Sequence, residues 1–316
     1  MIDYKDIELA SQRISKHAHR TPVLSSSRLN SMFKCSMFFK CENFQKVGAF
    51  KFRGALNAIS NLSDKAKANG VVTHSSGNHA QALSLAAYIF DIPAYIVMPN
   101  NAPDVKVNAV KEYGGKISFC KPILEAREST AKQLLEKYNA TFIHPYDNDF
   151  IIAGQGTCGK EFIEQLNLEP DILMAPIGGG GLLSGTVISV KALTKNTKVF
   201  GAEPEMADDA FRSFKAGKII PQINPQTIAD GLLTSVGERN FKILNKHLDK
   251  ILLCSEKSIL VAMKLIFENL KIVVEPSAAV SLACIIDNPD EFKNKTVGLI
   301  LSGGNLDISK FNWEMK

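Results

Sequence analysis

The stretch Ile172–Val190 runs for 19 residues without a charge, about the length a membrane-spanning helix needs. Pro176 and the tract Gly178-Gly179-Gly180-Gly181 lie inside it, and in lipid they would leave backbone groups without hydrogen-bond partners. The better reading is a short strand over Ile172–Ala175, a glycine loop, and a helix. That reading recurs along the chain. Strand-length apolar runs occur at Met37–Lys40, Gly70–Thr73, Ala94–Met98, Lys116–Phe119, Thr141–His144, Lys198–Ala202, Lys250–Leu253 and Val297–Leu301. Helical patterns lie between them, as at Asn78–Ile89, Glu125–Lys137, Glu256–Asn269 (with Ser255 as N-cap) and Ser277–Ile286. Such alternation predicts an α/β protein with mostly parallel sheets covered by helices. Ligand-binding loops then fall at the carboxyl ends of the strands. The strands between 70 and 144 group as an inserted small domain over 69–147, with 1–68 and 148–316 forming the large domain.

Composition excludes several function classes. The chain carries 37 Lys+Arg against 32 Asp+Glu, a net charge of +5. No run of five basic residues gives nucleic acid a surface to bind. A hydrophobic fraction of 45% argues against disorder. The N-terminus MIDYKDIELASQRISKH is charged throughout and lacks an apolar signal region. Cys35, Cys41, Cys120, Cys158, Cys254 and Cys284 form no CxxC, and most sit beside apolar residues, so reduced buried thiols are expected. A cytoplasmic protein with no membrane partner follows.

Three Ser/Gly/Asn-rich loops follow apolar strands: THSSGNHAQA after GVV, GGGGLLSG after DILMAPI, and SGGN after VGLIL. They point to one shared crevice. Four glycines let backbone N–H groups converge on an anion, and the next helix adds its positive end. The tract lacks the Lys-Ser/Thr of a P-loop and the GxGxxG of a dinucleotide site; the plainer alternative is a flexible turn. Lys51, in FQKVGAFKFRGALNAI, reads on local pattern as a surface charge. Its neighbours Phe50, Gly48, Ala49 and Gly54 would also desolvate an imine-forming amine and lower its pKa. Ser75 and Ser76 are either helix caps or carboxylate binders. Asn78 could bond a cofactor oxygen, and His79 is a structural hydrogen-bonder as readily as a ligand. Ser302-Gly303-Gly304-Asn305 is an ordinary loop alone, but a hydroxyl beside a pyridine nitrogen would leave it unprotonated. A phosphate cradle with an imine lysine points to pyridoxal phosphate (PLP). A nucleotide-binding oxidoreductase and a non-catalytic small-molecule sensor are the rival classes.

FKFRGA, SSGNHAQA, GGGGLLSG and SGGN, in this order, resemble the fold-type II PLP enzymes, a two-domain, tryptophan synthase β-like architecture. GQGT at 154–157, AEPEMADD at 202–209 and IADG at 228–231 extend the likeness across nearly the whole chain. It is nearest to the serine racemase and serine/threonine dehydratase family. The resemblance implies that Lys51 holds the cofactor covalently and moves a proton on one face of the substrate Cα. Phe50 would pack beside the cofactor ring, with Gly231 near its other side. Asn78 would bond the 3′ oxygen, Gly178, Gly179, Gly180, Gly181 and Leu182 would hold the phosphate, and Ser302 would face the pyridine nitrogen. Ser75, Ser76, Gly77, Asn78 and His79 would grip the substrate carboxylate.

Ser76 discriminates within the family. Racemase-like members carry Ser here as the acid/base on the opposite face, whereas threonine dehydratases commonly carry Ala. Two such groups permit proton removal on one side and delivery on the other. The resemblance therefore implies a serine racemase, interconverting L- and D-serine, that also dehydrates serine to pyruvate and ammonia. The alternative is a dehydratase of L-serine, L-threonine or threo-3-hydroxyaspartate. Tyr146, in HPYDND, stands where animal racemases tend to carry Asn; PYD is closer to fungal members. AEPEMADD resembles the family's cation site, with Glu203, Asp209 and the Ala207 carbonyl as oxygen donors suited to Mg²⁺, Mn²⁺ or Ca²⁺. On local pattern alone those acids read as helix caps. The racemases also bind ATP between the subunits of a homodimer. Matching positions here are Ser26, Ser27, Lys46, Gln81, Tyr113, Lys271 and Asn305, while Arg28 and Val47 depart from the pattern.

Overall fold

The computed structural model describes residues 2–75, 77–102 and 104–307. The described residues form ten strands: β1 Val23–Leu24, β2 Ser36–Cys41, β3 Val71–His74, β4 Ala94–Pro99, β5 Lys116–Cys120, β6 Thr141–Phe142, β7 Ile172–Pro176, β8 Lys198–Pro204, β9 Lys250–Cys254 and β10 Thr296–Leu301. They make a six-stranded sheet ordered β1-β2-β10-β7-β8-β9 and a four-stranded sheet ordered β5-β4-β3-β6. The pairings are parallel except for β1 with β2.

Strand character follows position in the sheet. β7 and β4, read as ILMAP and AYIVMP, are buried at every residue, whereas the edge strand β5 (KISFC) has no fully buried residue. Uninterrupted apolar runs suit strands covered on both faces. Alternate residues then serve opposite layers. In β7, Met174 faces the helices Glu256–Leu270 and Pro276–Asp287, while Leu173 and Ala175 face Asp149–Leu166, Gly181–Leu193 and Glu238–His247. The four-stranded sheet buries Val71 and Ile96 against Leu83 of helix Asn78–Ile89 and against Phe52, Leu56 and Ile59 of helix Lys51–Ser60. A helix outside 69–147 thus completes that core. On the far face, Tyr138 stacks on Tyr95 at 4.0 Å.

The sequence did not signal β1, whose two residues are too few to show a period; it forms by pairing with the edge of β2, Val23 opposite Lys40. β6 ends at Phe142, two residues before the expected His144. There the His144 imidazole accepts from the backbone N–H of Tyr146 at 3.3 Å and of Asp147 at 2.9 Å, which turns the chain. All six cysteines are free thiols and five are buried, Cys120 being partly exposed. Among the described residues no helix is long and apolar enough to cross a membrane.

Sheet order decides where the loops meet. β2, β10 and β7 are neighbours, so the segment leading to Lys51, the loop Ser302–Asn305 and the glycine tract all leave the same end of one sheet. An antiparallel bridge joins Ala49 to Gly303. Phe50 N–H donates to Ser302 O at 3.0 Å, and Gly304 N–H to Gly48 O at 2.9 Å.

Candidate active site

Lys51 is the first residue of its helix. Immediately before it, Val47 has φ +57° and Gly48 +67°, and a β-branched residue in that region is strained. The strain is held from outside: Asn305 Nδ2 donates to Val47 O at 2.8 Å. Lys51 Nζ donates to Pro145 O at 2.8 Å and lies 5.2 Å from the Phe50 ring centre and 6.0 Å from that of Tyr146. Burial brings its pKa down to about 8, with the Glu275 carboxylate opposing the shift. More of this amine is therefore neutral near pH 7 than of a solvated lysine.

The glycine tract joins β7 to helix Gly181–Leu193, and Gly180, at φ +91°, is the residue before that helix. The first N–H groups of a helix have no intrahelical acceptor and attract anions. The backbone is closely lined. A Cβ on Gly179 would lie 2.3 Å from Tyr146 Cγ, and one on Gly178 would lie 3.0 Å from Leu232 Cα and 3.2 Å from Gly231 O. Gly231, from the IADG segment, thus borders the tract, and its N–H donates to Ser277 Oγ at 2.9 Å. Main-chain donors without side chains, beside a partly desolvated amine, fit a phosphate-bearing aldehyde such as PLP.

From the other sheet, β3 delivers Ser75, Gly77, Asn78 and His79. The Ser76 assignment lies outside the described residues. Asn78 Nδ2 donates to both Glu275 oxygens, at 2.9 and 3.1 Å, while its Oδ1 accepts from Asn305 Nδ2 at 2.8 Å. The sequence reading missed Glu275. It is buried at the N-cap of helix Pro276–Asp287, and burial raises its pKa to about 7, against the hydrogen bond from Asn78. Its signal was an acid followed by Pro within an apolar run. Asn240, whose amide donates to Gly179 O at 2.9 Å, was missed as well. The His79 ring is buried on Ile143 O at 3.4 Å, and burial holds it neutral, followed by the Lys51 charge. Ser302 is buried beside Phe50, and Leu182 is buried in the glycine helix.

The remaining assignments separate. Glu203 accepts from the backbone N–H of Ala210 at 3.0 Å and Phe211 at 2.8 Å, so it caps helix Asp209–Ala216. Asp209 Oδ2 accepts from Val236 N–H at 2.8 Å, while its Oδ1 is buried without a hydrogen-bond partner. Ala207 is buried between them in sequence. Among the described residues no group of three or more His, Cys, Asp or Glu side chains could hold a metal ion. Of the nucleotide positions, Asn305 bonds Val47, Tyr113 packs on the cluster containing Val47, and Lys46 Nζ lies 5.6 Å from the Phe52 ring. Gln81 is buried in helix Asn78–Ile89. Ser26 instead caps the helix beginning at Ser27, and Lys271 ends helix Glu256–Leu270.

Residues 14–303 match the family described as "Pyridoxal-phosphate dependent enzyme". A "beta-hydroxyaspartate dehydratase" of Paracoccus denitrificans is 48% identical over 310 residues, spanning 98% of each chain. A "Serine racemase" of Dictyostelium discoideum is 49% identical over 318 residues, 98% of this chain and 97% of its own. A crystal structure of serine racemase from Dictyostelium discoideum superposes with a TM-score of 0.93 at 49% identity, covering 97% of this chain and 99% of that one. The chain belongs to the pyridoxal-phosphate dependent enzymes.

Proposed function

We propose that the chain is a serine racemase that also eliminates water from serine, giving pyruvate and ammonia. The observation that carries the reading is the Lys51 amine, with its pKa lowered to about 8, 6.0 Å from the Tyr146 ring that lies against Gly179. Lys51, Asn78, Gly178 to Leu182, Gly231 and Ser302 would hold the cofactor, with Phe50 beside it. When bound, PLP supplies an electron sink for the pair left at the substrate Cα after its proton departs. The backbone of the Ser75–His79 loop orients the substrate carboxylate. Lys51 takes or returns the Cα proton on one face, and Ser76 does so on the other. The small-molecule substrate is an amino acid, and a homodimer in the cytoplasm is part of the same proposal. So is the division into 1–68 with 148–316 and an inserted 69–147, which the partition into two sheets supports.

A divalent cation (Mg²⁺, Mn²⁺ or Ca²⁺) at Glu203, Asp209 and the Ala207 carbonyl belongs to the proposal. Burial raises Glu203 to about 9, followed by the Asp209 charge, and burial raises Asp209 to about 6. Two neighbouring acids that form no ion pair among the described residues, Arg212 being paired with Asp208, and one with a free buried oxygen, suit a hard cation completed by water. ATP as an activator near Lys46, Gln81, Tyr113 and Asn305 is proposed on the sequence match.

The second reading, a 3-hydroxyaspartate, serine or threonine dehydratase, is favoured by the nearly equal identity to the Paracoccus dehydratase. Chiral chromatography of products from L-serine separates the two. D-serine alongside pyruvate is expected; pyruvate without D-serine leaves only the dehydratase. Ser76→Ala should abolish racemisation and spare elimination, and equal loss of both would remove the separate role of Ser76.

A further inference from the structure

Asn240 lies in helix Glu238–His247, outside the sequence motifs, and is fully buried. Its Nδ2 donates to Gly179 O at 2.9 Å and to Tyr146 O at 3.1 Å. Gly179 O also accepts from Gly237 N–H at 3.1 Å. Its Cβ stands where Gly180 leaves room: a Cβ on Gly180 would lie 2.8 Å from it. Asn240 Oδ1 is buried with no hydrogen-bond partner. Leaving an acceptor unmade is costly, and an apolar side chain of similar shape would avoid that cost. The position keeps an amide where two donors are wanted at once.

The peptide plane says what those donors achieve. The carbonyl of Gly179 and the N–H of Gly180 share one rigid unit and point in opposite directions. Drawing the carbonyl toward Asn240 turns the Gly180 N–H away from it. A run of glycines has no preference of its own for that orientation. We propose that Asn240 is a positioning residue for the phosphate loop: it locks the Gly179–Gly180 peptide with its N–H presented to an anion. Through the Tyr146 carbonyl it also keeps the Tyr146 ring against Gly179. The proposal rests on the reading of Gly178–Gly181 as the phosphate site.

The test compares PLP with pyridoxal, which lacks the phosphate, by equilibrium dialysis against wild type, Asn240→Leu and Asn240→Ser. Both variants should bind PLP about tenfold more weakly, the loss of two hydrogen bonds, and pyridoxal within about twofold of wild type. At least one should melt near the wild-type temperature without ligand. Equal weakening of both ligands would make Asn240 merely structural, and an unchanged PLP affinity would also overturn the proposal. If wild type binds PLP no more tightly than pyridoxal, the phosphate-loop reading itself fails.

Discussion

Lys40 is buried in β2, where its Nζ donates to Glu161 at 2.5 Å, Gln165 at 2.6 Å and the Thr21 carbonyl at 2.8 Å. Lys51, at the start of the next long helix, donates to one neutral carbonyl and otherwise faces two rings. The acids show the same contrast. Burial alone would raise Glu42, but Arg53 at 2.7 and 2.8 Å brings it below its ordinary value. Glu275, with an amide as its hydrogen-bond donor, rises to about 7. Arg53 and Lys51 lie two residues apart on one helix, so counter-charge, rather than burial, separates a charge held in one state from one able to change. A paired charge is fixed in its state, and a poorly paired one can change state.

The sharpest way to break the contrast is to remove each cation. Lys51→Ala should lower PLP-dependent turnover of serine by on the order of 10³-fold or more, the scale of a lost acid/base. Its melting temperature should stay near wild type, because the amine has few partners to abandon. A variant that unfolds would place Lys51 with Lys40 as structural. Arg53→Met should do the reverse to the apoprotein. It strands the buried Glu42, whereas Glu161 keeps Lys40, and breaking a buried pair costs about 3–5 kcal/mol, readable by urea denaturation. A loss below about 1 kcal/mol would mean that the acids find other partners or water.

Local chemistry was legible in the sequence, and distant chemistry was not. The glycine tract is legible because backbone freedom belongs to the glycines themselves, whereas Lys51 reads locally as a surface charge and gains its role only in combination with the other motifs. The alternation of apolar runs likewise forced the two parallel sheets. Glu275 gained its meaning from Asn78, 197 positions away, and Asn240 from Gly179, 61 away; no local pattern encodes such pairs. Glu203 carries two readings, a cap from local pattern and a ligand from the resemblance. The backbone N–H groups of Ala210 and Phe211 bear out the cap. The two roles are compatible, since a carboxylate has lone pairs for both.

Acylation of the apoprotein with acetic anhydride, read by mass spectrometry, gives a finer measure. Lys51 should label with a midpoint near pH 8, and Lys40 only after unfolding. In the window between about 8 and the ordinary lysine value of 10.5, the unfolded chain carries the proton at Lys51 and the folded chain does not. That contribution to stability therefore rises with pH across the window and is lost as pH falls through 8. Glu275 has the opposite sign: its folded pKa is raised from 4.5 to about 7, so its contribution falls as pH rises between those values. A Lys51 midpoint close to 10.5 would show a solvated amine and erase its difference from a surface lysine.

The smallest expected effect tests whether the two poorly paired groups sense each other. The Glu275 charge opposes the lowering of the Lys51 pKa, so Glu275→Gln should move the Lys51 labelling midpoint further down. Asn78 can still donate to the glutamine carbonyl, which preserves the local hydrogen bond. Because Glu275 titrates near 7, the variant and wild type should label alike at pH 6 and diverge above pH 7. Divergence already present at pH 6 would mean that the substitution moved the backbone of the Ser302 loop, whose Gly303 O accepts from Glu275 N–H at 3.1 Å. No divergence at any pH would show the two charges screened from each other, and the low pKa of Lys51 would then rest on burial alone.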